Sequence, residues 1–118
     1  MVLDKFSLKD RVGIVTGGGQ GLGRVFALAF AEAGAHVAVA ELNAETAEQT
    51  AAQVRGLGRD ALAVVTDVRS RASVAAMVEA TVRRFGRLDF LMNNAGITKW
   101  GAAEAVSEQD WKAVLDVT

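Results

Sequence analysis

Cysteine, proline and tyrosine are absent from this sequence, and histidine occurs once. Without cysteine there can be no disulfide, zinc–thiolate site or thiol nucleophile. Without tyrosine, these 118 residues cannot supply a phenolic acid or base. The single His36 and the lack of paired carboxylates or histidines leave no candidate metal site. Charge is not one-sided either: Lys and Arg number 13, Asp and Glu 14, for a formal net charge of -1. A dedicated nucleic-acid binder usually carries a basic surplus, so that class is set aside. No apolar run approaches the ~18 residues that span a bilayer. The first ten residues carry Asp4, Lys5, Lys9 and Asp10 and lack the apolar stretch of a secretory signal. The expectation is a soluble cytoplasmic protein with no membrane partner.

What is present suits one globular domain: 51% hydrophobic and 23% charged residues, enough of the first to fill a core. Short β-branched runs alternate with longer Ala-rich stretches. Arg11 to Thr16 reads as a buried strand, and Gly17 to Gly23 as a glycine-rich turn. Leu22 to Ala33 reads as a helix closed by Gly34. His36 to Ala40 is a second strand ending on Glu41. Asn43 can cap a helix from Ala44 to about Leu57. Ala61 to Thr66 is a third strand, followed by Asp67 and Val68. Ser70 can cap a helix with Val74, Met77, Val78, Val82 and Phe85 on one face, stopped by Gly86. Leu88 to Met92 is a fourth strand leading into Asn93-Asn94-Ala95-Gly96.

A last helix is predicted from Glu108. Ser107 caps it, Asp110 lies three residues on, and Val106 and Trp111 occupy the staple positions. No stop signal precedes Thr118, so the expectation is a truncated chain. The alternation predicts an α/β fold: a Rossmann-like, doubly wound parallel sheet, incomplete, of about four strands with flanking helices. Residues 1–118 then form a dinucleotide-binding domain, the N-terminal part of a longer one.

The turn Thr16-Gly17-Gly18-Gly19-Gln20-Gly21-Leu22-Gly23 joins a strand to a helix. Glycines allow a sharp bend and bring bare N–H groups near a phosphate. The next helix adds its N-terminal amides and dipole. A plain structural turn is the competing reading. No frame fits G-x-G-x-x-G or G-x-G-x-x-A, and no Gly-Lys-Ser/Thr follows, so neither usual phosphate fingerprint applies.

The stretch Thr16 to Gly23 resembles the Thr-Gly-x-x-x-Gly-x-Gly motif of the short-chain dehydrogenase/reductase family. Asn93 to Gly96 resembles that family's Asn-Asn-Ala-Gly motif, and Asp67-Val68 its acidic residue after the third strand. The resemblance covers essentially the whole chain and implies its N-terminal, cofactor-binding half. It implies hydride transfer between a nicotinamide and a secondary alcohol or ketone, a small-molecule substrate and a homo-oligomer for the complete protein.

The cofactor-binding residues so implied are Gly17, Gln20, Gly21, Leu22, Gly23, Glu41, Asp67, Val68, Asn94, Ala95 and Gly96. Glu41 can accept hydrogen bonds from both hydroxyls of an adenosine ribose and repels a 2′-phosphate. Gln20 stands where relatives that prefer NADP often carry Arg or Lys, and Asn43 is uncharged. NAD is therefore the expected cofactor. Asp67 resembles the acceptor of the adenine amino group, with the Val68 N–H as donor to the ring. Asn94, Ala95 and Gly96 resemble the lining of the cofactor ribose, although the Asn side chains could equally tie strands together. Ile97 to Trp100 stand where the family's substrate cleft begins, with Trp100 read as a packed loop aromatic.

Arg24 could reach a phosphate, but it lies past the glycines and is expected to face solvent. His36 is expected to be structural, and Arg83, Arg84 and Arg87 to mark a helix end with favourable dipole contacts. The family's chemistry uses a Tyr, a Lys and a Ser, in many members with an Asn at the position of Thr118. No catalytic residue is assigned here, and the chain alone is expected to be inactive. Alone it is also expected to be poorly soluble or loosely packed, with the fourth strand an unprotected edge. A non-catalytic module that binds NAD or an adenine nucleotide is the alternative.

Overall fold

A computed structural model describes residues 7–94. Strands and helices alternate: β1 (Val12–Thr16), α1 (Gly21–Glu32), β2 (His36–Glu41), α2 (Ala44–Gly56), β3 (Ala61–Val65), α3 (Arg71–Phe85) and β4 (Phe90–Met92). All strand pairs are parallel, in the order β3-β2-β1-β4. The chain steps outward from β1 to β2 and β3, then returns to place β4 on the other side of β1. This reversal is the switch point of a doubly wound, Rossmann-like sheet.

Alternate strand residues face opposite layers. Val15, Val37, Val39 and Ala61 pack against Ala27 and Ala31 of α1 and Ala47, Ala51 and Val54 of α2. Ile14, Ala38 and Ala40 pack against Val74 and Met77 of α3. Helices on both faces explain why the strands read as continuous apolar runs. Each fully buried Val or Ile contributes ~1.5–3 kcal/mol relative to exposure. Small residues matter as much: a Cβ on Gly13 would lie 2.1 Å from the Phe90 ring. Gly13 thus leaves room for Phe90, which meets Phe30 edge-on at 4.9 Å.

Three strands are shorter than predicted, and β3 ends at Val65 rather than at Thr66. Arg11 lies outside β1 and is exposed. Leu88 and Asp89 lie outside β4 because a side chain takes over the ladder there. The Asp89 carboxylate, not a backbone carbonyl, accepts the Val12 N–H at 2.9 Å. The Asp89 N–H donates to the Val12 carbonyl at 2.8 Å. Among the described residues no helix is long and apolar enough to cross a membrane. The predicted helix from Glu108 lies outside the described residues, as do Ala95, Gly96, Trp100 and Thr118.

Candidate functional site

The C-terminal ends of the strands bring the described candidate residues into one row. Across the sheet it runs from Asp67 after β3 to Glu41 at the end of β2, the glycine turn after β1, and Asn94 after β4. Thr16 and Asn94 meet although far apart in the chain. The Asn94 N–H donates to Thr16 Oγ1 at 2.9 Å, and its Nδ2 donates to the Gly17 carbonyl at 3.5 Å. Thr16 Oγ1 in turn lies 3.3 Å from the Met92 carbonyl and 3.4 Å from Asn93 Oδ1. Asn94 is buried, and its backbone and amide tie the end of β4 to the end of β1.

The glycine turn depends on close backbone approach. The Gly17 and Gly18 N–H groups both donate to the Ala40 carbonyl, at 2.8 and 3.4 Å. A Cβ on Gly23 would lie 2.0 Å from the Gly17 oxygen. Gly21 differs: its φ is +57°, and an added Cβ would meet nothing within 4 Å. That side of the turn is open, and the neighbouring Leu22 is 60% exposed. Gln20 is the N-cap of α1, exposed and extended, and its side chain makes no cap hydrogen bond. An uncapped first turn concentrates unpaired amides and partial positive charge beside that open glycine. The geometry fits an anionic oxygen there.

Glu41 is folded back onto this turn. Its Oε2 accepts the Gly19 N–H at 3.0 Å, and its Oε1 accepts the Leu42 N–H at 3.1 Å. A Cβ on Gly19 would lie 2.7 Å from Glu41 Cγ and 2.6 Å from Thr46 Oγ1. The bare glycine therefore admits the carboxylate. Each oxygen has two lone pairs, so capacity remains for hydroxyl donors.

Arg24 does not face solvent as expected. Its Nη2 donates to the Gly19 carbonyl at 3.0 Å and to Gln49 Oε1 at 3.4 Å, and its Nε to Thr50 Oγ1 at 3.2 Å. Acceptors on the turn and on α2 lie within reach, and a guanidinium fork can serve several at once. No local signal pointed to this, because Gln49 and Thr50 belong to another helix.

Asp67 clamps its own turn. Its Oδ1 accepts from the Arg69 N–H at 2.9 Å and from Arg69 Nε at 3.1 Å, and its Oδ2 from Arg69 Nη2 at 3.3 Å. Its N–H donates to Ser73 Oγ at 2.9 Å. The carboxylate keeps 35% exposure, with half-buried Val68 beside it.

His36 is structural in its contacts. Its Nδ1 accepts the Asp60 N–H at 2.9 Å, and its ring stacks on Phe85. The three arginines are held mainly by acids: Arg83 by Glu79, Arg84 by Asp60, and Arg87 by Asp89. A shallow hollow of about 440 Å³, lined in part by Lys9, Glu32, Gly34 and Arg59, lies at the opposite end of the strands. None of the candidate groups reaches it.

A doubly wound sheet with a glycine turn at its switch point and an acidic residue ending β2 defines the Rossmann-like class of fold. Within that class, residues 11–118 match the short chain dehydrogenase family, and the chain belongs to it. It is 46% identical over 115 residues to a short chain dehydrogenase/reductase, astE, of Aspergillus oryzae, covering 96% of this chain and 44% of that protein. It is 41% identical over 112 residues to D-threitol dehydrogenase of Mycolicibacterium smegmatis, covering 95% and 43%. Its fold is similar, with a TM-score of 0.79 and 31% identity, to a 7α-hydroxysteroid dehydrogenase complexed with NADH and 7-oxo glycochenodeoxycholic acid, covering 93% and 43%. The chain thus spans less than half the length of these relatives.

Proposed function

We propose that these residues bind NAD(H) for an oxidoreductase that moves a hydride between the nicotinamide and a secondary alcohol or ketone. The observation that carries this reading is the row along the strand ends. An acidic turn, a ribose-sized carboxylate, an open glycine turn and an asparagine follow one another across β3, β2, β1 and β4. The cofactor supplies the hydride chemistry when bound; the protein binds and orients.

In this reading the open side at Gly21 and the first turn of α1, with Gly17, Gln20, Leu22 and Gly23, receive the pyrophosphate. Glu41 accepts the adenosine ribose hydroxyls and excludes a 2′-phosphate. Asp67 and Val68 hold the adenine edge. For the first of these the Asp67 carboxylate shares its oxygens with Arg69. Asn94, with Ala95 and Gly96, lines the second ribose. A relative of similar fold that is complexed with NADH supports the choice of cofactor.

These 118 residues hold no tyrosine, so we assign them cofactor binding without turnover by themselves. The family's Tyr, Lys and Ser would act from outside them, on a small-molecule substrate, in a cytoplasmic homo-oligomer. The glycine turn, Glu41 and Asp67 would equally serve a second reading, a nucleotide-binding module without catalysis. Oxidation of a panel of secondary alcohols with NAD separates the two: turnover by the full protein supports the enzyme, and binding without turnover the module.

Glu41→Arg tests the ribose assignment. Fluorescence titration should show NADH weakened by about tenfold or more, a loss of ~1.4 kcal/mol, and NADPH tightened. Unchanged affinity for both would remove Glu41 from the site.

A further inference from the structure

We infer that Arg24 is a positioning residue for coenzyme discrimination, acting on Glu41 through the backbone of Gly19. The inference rests on the assignment of Glu41 to the adenosine ribose. Gly19 is held from both sides. Its N–H donates to Glu41 Oε2 at 3.0 Å, and its carbonyl accepts from Arg24 Nη2 at 3.0 Å. Glycine has the widest backbone freedom of any residue, so a turn built on it needs external restraint to hold one orientation. Arg24 supplies that restraint from α1.

The guanidinium is itself fixed. Its Nε donates to the hydroxyl of Thr50, which is fully buried on α2, and Nη2 also reaches Gln49 Oε1. Arg24 therefore links α1 to the glycine turn and to α2. Releasing the Gly19 carbonyl frees the Gly19–Gln20 peptide to rotate about φ and ψ of Gly19, and the residue's N–H, on the preceding peptide, is then less firmly held on Glu41. The carboxylate then loses the fixed donor that aims Oε2. An ammonium could reach one of these acceptors but lacks the planar fork that serves them together. The prediction concerns the ratio of two coenzyme affinities, because the 2′-position is where Glu41 acts.

The test is titration of the full protein with NADH and NADPH, using Arg24→Met, Glu41→Gln, the double variant, Arg24→Lys and Thr50→Val. Arg24→Met should weaken NADH about tenfold and change NADPH by less than about threefold, whereas Glu41→Gln should weaken NADH to a similar extent and, having lost the charge that repels a 2′-phosphate, tighten NADPH. The double variant should bind NADH within about twofold of Glu41→Gln alone, because both changes break one linkage. Arg24→Lys should recover part of the lost discrimination. Thr50→Val keeps the arginine and frees its Nε, and should narrow the ratio by about threefold. If Arg24→Met does not fold, Thr50→Val carries the test. Equal weakening of both coenzymes, or losses that multiply in the double variant, would overturn the inference and leave Arg24 a general brace. If Glu41→Gln alone leaves NADH affinity unchanged, the ribose assignment has failed, whatever Arg24 does.

Discussion

The three described helices begin in two different ways. At α2, Asn43 Oδ1 accepts the N–H groups of Glu45 and Thr46, at 3.0 and 3.1 Å. At α3, Ser70 Oγ accepts the Ser73 N–H at 3.2 Å. At α1, Gln20 makes no such bond, and the turn beside it is glycine with open space at Gly21. A side-chain cap contributes ~1 kcal/mol to a helix start. Two helices take that stabilisation from their own residues. The third has no side-chain cap, and it is the helix at the sheet's switch point. In the function proposed above, the difference separates helix starts closed by their own residues from one left open for a ligand.

The strongest way to break this comparison is inside the turn. Gly23 and Gly21 are both glycines of the same motif, but they are glycine for different reasons. Gly23→Ala drives a Cβ against the Gly17 carbonyl and should cost ~3 kcal/mol or more of stability in chemical denaturation. In Gly21→Val the new Cβ meets nothing within 4 Å, so the expected cost to the fold is the ~1–3 kcal/mol of a branched residue at positive φ. Its larger effect should fall on the ligand: nucleotide affinity should drop about a hundredfold, roughly 2.7 kcal/mol. A Gly21→Val protein that folds and keeps its nucleotide affinity would return the turn to a purely structural role.

A cap can also be installed. Gln20→Asp would give α1 the closure that α2 and α3 already have. It should stabilise the protein without ligand by ~0.5–1 kcal/mol and weaken nucleotide binding, since a carboxylate then competes with phosphate for the same amides. Asn43→Ala is the converse. It should destabilise by ~1 kcal/mol, and its effect on NADH affinity should stay within about twofold. Stabilisation without loss of affinity in Gln20→Asp would mean that the first turn of α1 is not where the anion sits.

Much of this contrast is legible in the sequence. Asn43 and Ser70 precede the Ala-rich, apolar-periodic stretches of α2 and α3, and Gly34 and Gly86 follow those of α1 and α3, so the helices are bounded by local chemistry. The parallel sheet follows from strands separated by helices. The site is legible where a residue type is needed at one place along the chain, as with the glycine turn and Glu41. Contacts across elements are not legible. Arg24 reads as a surface residue of α1, and only the packing of α2 beside the turn gives it the Gly19 carbonyl and Thr50. Gly13 reads as one more strand residue until Phe90 is seen to occupy its space. The short β4 has the same origin: a carboxylate from the entering loop replaces a backbone partner, which no periodicity encodes.

That carboxylate supplies the smallest effect, at the end of the sheet away from the candidate site. Asp89 receives Arg87 through two hydrogen bonds of 2.8 Å, the Val12 N–H at 2.9 Å and Arg11 at 3.4 Å. These donors, Arg87 first, push its carboxyl down from 3.8 to about 2, while Asp89 raises the pKa of Arg87. The folded value lies below the unfolded one, so the native state binds fewer protons between the two. The contribution to stability is present in full above 3.8 and is lost as pH falls toward about 2. Because the pair is solvated, its share is small. Asp89→Asn should be less stable than the parent near neutrality, and the gap between their denaturation midpoints should close as pH falls through that window. Nucleotide affinity of the variant, measured at neutral pH, should be unchanged. A gap independent of pH would mean that the Asp89 charge does not hold β4 to β1. A change in affinity would mean that the two ends of the sheet are coupled, and that an uncapped α1 is not the only feature setting the site apart from the rest of the fold.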